Sequence, residues 1–195
     1  MSINTTPLKL EVVLGSVREG RFGEIPFNWI VNQARQSGEF EVGAIDLAQY
    51  QIPNDFSRNA DVEELAARME AADAVIVLSP EYNHSYSAPI KTFIDAMPKS
   101  VWQAKPVGFV TYGGFAAGLR AAEALRLVFA ELHAVTVRDV VSFYIMNENF
   151  DTNGEPIQAD AVNSAARVLI DQLAWWALAL KDAKAVRPYG QAVLV

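Results

Sequence analysis

DAVIVLSPEYNHSYSAPIKTFIDAM, Asp73 to Met97, decides how the rest of the chain is read. Its apolar, β-branched run Ala74–Leu78 stops at Ser79-Pro80; a polar and aromatic loop follows, and helical apolar periodicity resumes at Ala88. In an open parallel sheet, ligands sit outside the carboxyl ends of the strands. The loop therefore presents Pro80, Glu81, Tyr82, Asn83, His84 and Tyr86 where a planar, hydrogen-bonding ligand can be gripped.

Outward from this stretch, strand and helix signals alternate. Leu8–Leu14, Phe40–Leu47, Val107–Tyr112 and Val135–Ile145 read as further strands. Helices are predicted at Glu24–Gln36, Val62–Ala71, Ala88–Met97, Phe115–Leu132 and Ala159–Lys181. Such alternation implies a parallel sheet covered on both faces. The expectation is α/β, a flavodoxin-like doubly wound sheet of five strands in the order 2-1-3-4-5. No repeat or linker interrupts it, so residues 1–195 are expected to form a single domain. In the last helix Val162, Ala166, Leu169, Leu173, Trp176 and Leu180 form one apolar stripe. This places Trp176 on the core side and Trp175 at the stripe's edge, either half-buried or against a subunit partner.

Composition removes several chemistries. The chain has no cysteine, which excludes disulfides, thiolate nucleophiles and iron–sulfur clusters, and its two histidines make a dedicated transition-metal site unexpected. A net charge of −7 argues against nucleic acid or an anionic membrane as the main partner. The start, MSINTTPLK, has neither a basic segment nor an apolar core, and no run approaches a spanning helix, so a cytoplasmic location is expected. Asn4-Thr5-Thr6 and Asn83-His84-Ser85 match a glycosylation acceptor, which carries no meaning without secretion.

The first strand ends in GSVREGRFG, Gly15 to Gly23. Glycines at 15, 20 and 23 do not give the dinucleotide fingerprint, and Arg21-Phe22 stands where a Walker loop needs Lys and Ser/Thr. A phosphate-loop chemistry remains. Ser16 offers a hydroxyl, Arg18 and Arg21 offer guanidinium groups, and the helix beginning near Glu24 turns its positive end to the same place. The missing Lys-Ser/Thr pair favours a terminal monophosphate over a triphosphate. After the fourth strand, Thr111-Tyr112-Gly113-Gly114 joins the same sheet edge, and rings beside glycines there suit a flat heterocycle.

Together, GSVREGRFG, SPEYNHSYSAPIKTFID and TYGGFAAGLRAAEALR resemble the NADPH-dependent FMN reductase family in order and interval. The resemblance implies an FMN-dependent NAD(P)H oxidoreductase that passes a hydride from NADPH or NADH to bound FMN and on to a quinone, flavin or similar small acceptor. It implies that Ser16, Arg18, Arg21, Phe22 and Gly23 hold the FMN phosphate. Pro80, Glu81, Tyr82, Asn83 and His84 would line the isoalloxazine, and Thr111, Tyr112, Gly113 and Gly114 would meet its other edge. Many relatives carry Ser or Thr and Asn where this chain has Arg21 and Gly23. No side-chain acid or nucleophile is required. The resemblance also implies a dimer or tetramer, matching the apolar surplus of the helices at 88–97 and 115–132. The competing reading is a flavodoxin-like FMN-binding electron carrier without nicotinamide turnover; a scaffold without FMN is a third.

Other features read as structural. Glu81 is expected to cap N–H groups rather than act as a base, His84 to bond locally, His133 to close a helix, and Lys91 to pair with Asp95. Asn149, Asp151, Asn153, Gly154 and Asp160 mimic a calcium loop, but a strand precedes them, Pro156 interrupts them and position twelve is Asp, so a solvated Asx-rich turn is expected.

Overall fold

The computed structural model describes residues 7–145 and 149–190. The Asn4-Thr5-Thr6 match and most of the N-terminal segment lie outside them. Five parallel strands, β1 (Leu8–Leu14), β2 (Phe40–Asp46), β3 (Ala74–Pro80), β4 (Pro106–Gly113) and β5 (Val135–Tyr144), form one sheet in the order β2-β1-β3-β4-β5. This is the expected topology. The helices are α1 (Glu24–Ser37), α2 (Ala60–Ala71), α3 (Ala88–Ala96), α4 (Leu119–Glu131) and α5 (Ala159–Val186).

Alternation along the strands sends successive side chains to opposite faces. Leu10, Val12, Leu14, Ile76 and Leu78 pack under α1 and α5, whereas Val13, Val75, Val77 and Phe109 pack under α2, α3 and α4. Buried on both faces, β3 and β4 are apolar almost throughout, as central parallel strands must be. Gly108 lets α5 settle on the sheet, since a Cβ there would lie 3.0 Å from the Leu169 and Leu173 side chains.

Two expectations change. Helix α4 starts at Leu119 rather than Phe115, because Gly118 precedes it at φ 88° and Phe115 is 99% exposed. The buried stripe of α5 runs Ala166, Leu169, Ile170, Leu173 and Ala177, so Trp176 is 36% exposed instead of facing the core. At about 100° per residue, Ile170 and Ala177 pull the buried face round, and Trp176, about 100° from Ala177, falls at its edge. Trp175 is 65% exposed and meets Trp176 edge to face. Among the described residues, no helix is long and apolar enough to cross a membrane.

Candidate functional site

The three loops after β1, β3 and β4 meet at the carboxyl edge of the sheet. Gly15 sets the first: its N–H donates to Leu78 O at 2.9 Å, and Ser87 Oγ donates to Gly15 O at 2.6 Å. A Cβ on Gly15 would lie 2.1 Å from the Ile90 side chain, so any larger residue at the pinned turn must displace Ile90. Beyond it, from Ser16 through Glu24, no backbone N–H donates to any group among the described residues. Ser16 is fully buried within that run. Most of this run is exposed, so its donors are open to solvent or a ligand, and such a row leading into a helix N-terminus is able to hold an anion.

The two arginines of this loop divide. Arg21 is largely covered and turned inward: it pairs with Asp46 at 2.5 Å and Glu24 at 3.0 Å and also donates to Ser16 O. Burial opposes its charge, while Asp46 and Glu24 raise its pKa overall. Arg18 stays exposed, its guanidinium 5.4 Å from the centre of the Tyr82 ring. Phe22 is a packing residue, edge-on to Tyr112 at 5.3 Å, and Gly23 leaves room for the Tyr112 hydroxyl, 2.6 Å from where a Cβ would stand.

Pro80 ends β3 beside Tyr112, and the second loop then reverses through Tyr82–Ser85, whose backbones exchange bonds of 2.9 and 3.1 Å. Asn83 and His84 occupy its centre at φ 49° and 73° and are exposed. Paired positive φ values of this kind define the tight hairpin turn that glycine and asparagine prefer, so a histidine there is a local strain. Neither residue's N–H has a partner among the described residues. Tyr82 Oη lies 3.1 Å from Ser16 Oγ, joining this loop to the first.

Glu81 is a capping residue, as expected. Its carboxylate accepts from Arg120 N at 3.1 Å and pairs with Arg120 Nε at 2.8 Å, while its N–H donates to Tyr112 O at 2.8 Å. The third loop joins here. Thr111 and Gly113 are buried, and Gly113 accommodates the Gly118 backbone and the Glu81 Cβ; Gly114 has open space around it. The Tyr112 hydroxyl is buried, with only the Ser16 hydroxyl near enough to act on it and not in good bonding geometry; burial pushes its pKa up to about 12, Tyr82 adds to this, and Ser16 and the two arginines oppose it. A phenol without a well-formed hydrogen bond, bare N–H rows and an uncommitted arginine at one edge fit a flat ligand carrying a phosphate.

The pseudo-calcium loop is occupied internally: Asp151 Oδ1 accepts from Asn153 N and Glu155 N at 2.8 and 2.9 Å, and Asp160 sits in the first turn of α5. Lys91 pairs with Asp95 at 2.6 Å, and His133 Nδ1 meets Tyr189 Oη at 3.0 Å. Sequence reasoning passes over Asp46, Ser87, Gly118 and Arg120, and names Gly15 only among the loop's glycines. Only Gly15 carried a signal, a glycine directly after an apolar strand.

The sequence profile of NADPH-dependent FMN reductases matches residues 8–147. The chain belongs to the NADPH-dependent FMN reductase family. Among curated relatives of this family member, a potato NAD(P)H:quinone oxidoreductase is 29% identical over 185 residues, covering 89% of this chain and 94% of the relative. The quinone reductase of Escherichia coli K12 is 30% identical over 161 residues, covering 76% and 86%. The same fold is found in FerB, an NAD(P)H:(acceptor) oxidoreductase from Paracoccus denitrificans, with a TM-score of 0.71, 22% identity and coverage of 88% and 98%. As a member of this family the protein is an oxidoreductase with FMN as cofactor and NADPH or NADH as hydride donor.

Proposed function

We propose that all 195 residues serve as one FMN-binding unit in the cytoplasm, and that the loop from Ser16 to Gly23 holds the flavin phosphate. When bound, FMN would supply two-electron redox chemistry between a nicotinamide donor and a quinone, flavin or similar small acceptor. The chain's own task is positioning. Backbone N–H groups of the first loop and the exposed guanidinium of Arg18 take the phosphate, and Arg21, tied to Asp46, fixes the loop's shape. The Asn83-His84 turn, with Pro80, Glu81 and Tyr82 beside it, would offer its N–H groups to the flavin ring. Thr111 to Gly114 close the other side, where the Tyr112 hydroxyl is available. The observation that carries this reading is the uninterrupted row of unengaged N–H donors from Ser16 to Glu24, ending at α1.

Self-association belongs to the same reading. The apolar residues of α3 (Ile90, Phe93 and Ile94) and the neighbouring Met97 are consumed by the core, but Phe115, Leu119 and Leu127 remain 99%, 47% and 77% exposed. Phe115 follows Gly114 directly, so a partner covering this face would also wall the cleft, and a dimer or tetramer results. An electron carrier without nicotinamide turnover would share the phosphate loop but not the relatives' NAD(P)H activity.

Replacing Arg18 by alanine tests the assignment. A charge-assisted hydrogen bond contributes about 1.5–3 kcal/mol, so FMN affinity should fall at least about tenfold with the fold intact. Unchanged affinity in a flavin fluorescence titration would remove Arg18 from the site.

A further inference from the structure

Helix α5 is used by the core along one stripe only. On its opposite side Ala161, Ala165, Val168, Trp175, Ala179 and Val186 fall into line at steps of three, four and seven, a second apolar stripe turned to solvent. Val168, Trp175 and Val186 are 45%, 65% and 88% exposed, and Trp176 and Leu178 border the stripe on either side. At 1.5 Å per residue it runs about 38 Å. Apolar surface of that extent marks a contact with another molecule. It is separate from the exposed face of α4, because α4 and α5 cover opposite faces of the sheet.

The stripe is complementary to itself. Two copies of α5 laid antiparallel, with a twofold axis near Ala174, bring Ala161 to the partner's Val186, Val168 to the partner's Ala179 and Trp175 to the partner's Gln172. Each larger side chain then meets a small one or one that stands aside. Gln172 stands aside because it is turned to Asp139, with which it exchanges two hydrogen bonds. The remaining polar residue of the stripe is Asp182, opposite the partner's Ala165. A carboxylate in an apolar seam needs a cation, and the same register sets the partner's Arg167 beside it. Neither the Arg167 nor the Asp182 side chain has a hydrogen bond or ion pair among the described residues, and the twofold axis makes their contact twice. Membrane lipid is the poorer occupant: the chain carries a net charge of −7, and Asp160, Asp171 and Asp182 lie along this side of α5.

We propose that α5 is a second twofold interface with another copy of this chain, joining α4-linked dimers into a closed tetramer. The proposal rests on the self-association reading above and decides between its dimer and its tetramer. A single α5 contact between two chains is weak, whereas two dimers make it twice, the second time within one assembly.

Light scattering of the FMN-loaded protein over a concentration series tests this. The wild type should reach four times the 21.4 kDa of one chain. Trp175→Glu, which puts a carboxylate beside the axis, should halve that mass with bound FMN and the unfolding midpoint unchanged. Arg167→Glu and Asp182→Arg should each raise the dimer–tetramer dissociation constant at least about tenfold, and the two together should restore it. A two-chain wild type that Trp175→Glu leaves intact, a mass that grows past four chains, or single charge variants that the double swap does not rescue would overturn the proposal. Failure of the α4 reading looks different: the wild type is then a dimer that Trp175→Glu splits and Leu127→Glu does not, and the α5 contact stands.

Discussion

At the amino edge of the sheet, polar groups are paired off. Asp73 accepts from Lys9 N and from Lys181 Nζ, each at 2.9 Å, Lys105 Nζ donates to Met69 O, and Lys105 O accepts from Val135 N at 2.9 Å. Trp102 Nε1 is the buried exception. At the carboxyl edge the reverse holds: among the described residues, N–H groups from Ser16 to Glu24 and at Asn83 and His84 have no protein partner, Tyr112 Oη makes no well-formed hydrogen bond, and Asn83, His84 and Ala117 hold positive φ. Strained backbone costs stability, and N–H groups left exposed contribute nothing to the folded chain's own bonding. One edge is finished by folding; the other is left open, as the proposed flavin site requires.

The largest effect expected at the finished edge comes from Lys105. It is 3% exposed, and burial lowers its pKa from 10.5 to about 8, with Lys184 adding to the shift against Glu70, Asp73 and Glu11. Between those values the unfolded chain binds more protons than the folded one, so Lys105 makes stability rise with pH across that window, by up to about 3 kcal/mol. Below about pH 8 the ammonium is charged in both states and its burial cost is fully present. Lys105→Met should flatten this rise while leaving FMN affinity unchanged; denaturant unfolding of both proteins from neutral pH to pH 10.5 reads it. An identical slope in the variant would mean that the amine is not buried as described.

At the ligand edge, Gly15→Ala must displace Ile90 and should cost about 1–3 kcal/mol, with FMN affinity falling in parallel. Gly20→Ala in the same loop meets nothing within 4 Å and opposes only φ 63°, so it should cost about 1 kcal/mol. Equal losses would show that the pinned turn at Gly15 is not what shapes the loop.

Smallest in stability is the α4 face. Light scattering should give at least twice the 21.4 kDa of one chain, and Leu127→Glu should shift the mass to the monomer with little change in unfolding free energy. A wild-type monomer that retains FMN and full activity would remove self-association from the account.

The central elements were legible because their signals are local. A β-branched run before Pro80 marks β3, and turn residues after each strand mark the site edge. Glu81 was read as a cap because a loop carboxylate beside a helix start has N–H groups within reach. What escaped is tertiary. Arg21 reads as a phosphate ligand in the sequence, which does not reveal its ion pair with Asp46, twenty-five positions away. Phe115–Gly118 carries helical composition, yet a left-handed Gly118 delays α4 and leaves Phe115 outside. Apolar periodicity on α3 cannot distinguish core from interface, and burial assigned it to the core.

The central claim is that the donor row from Ser16 to Glu24 is a phosphate site. Fluorescence titration of the same protein with FMN and with riboflavin, which differ only in that phosphate, tests it directly. Two charge-assisted bonds contribute at least about 3 kcal/mol, so FMN should bind at least about a hundredfold tighter than riboflavin. Equal affinities would contradict the account.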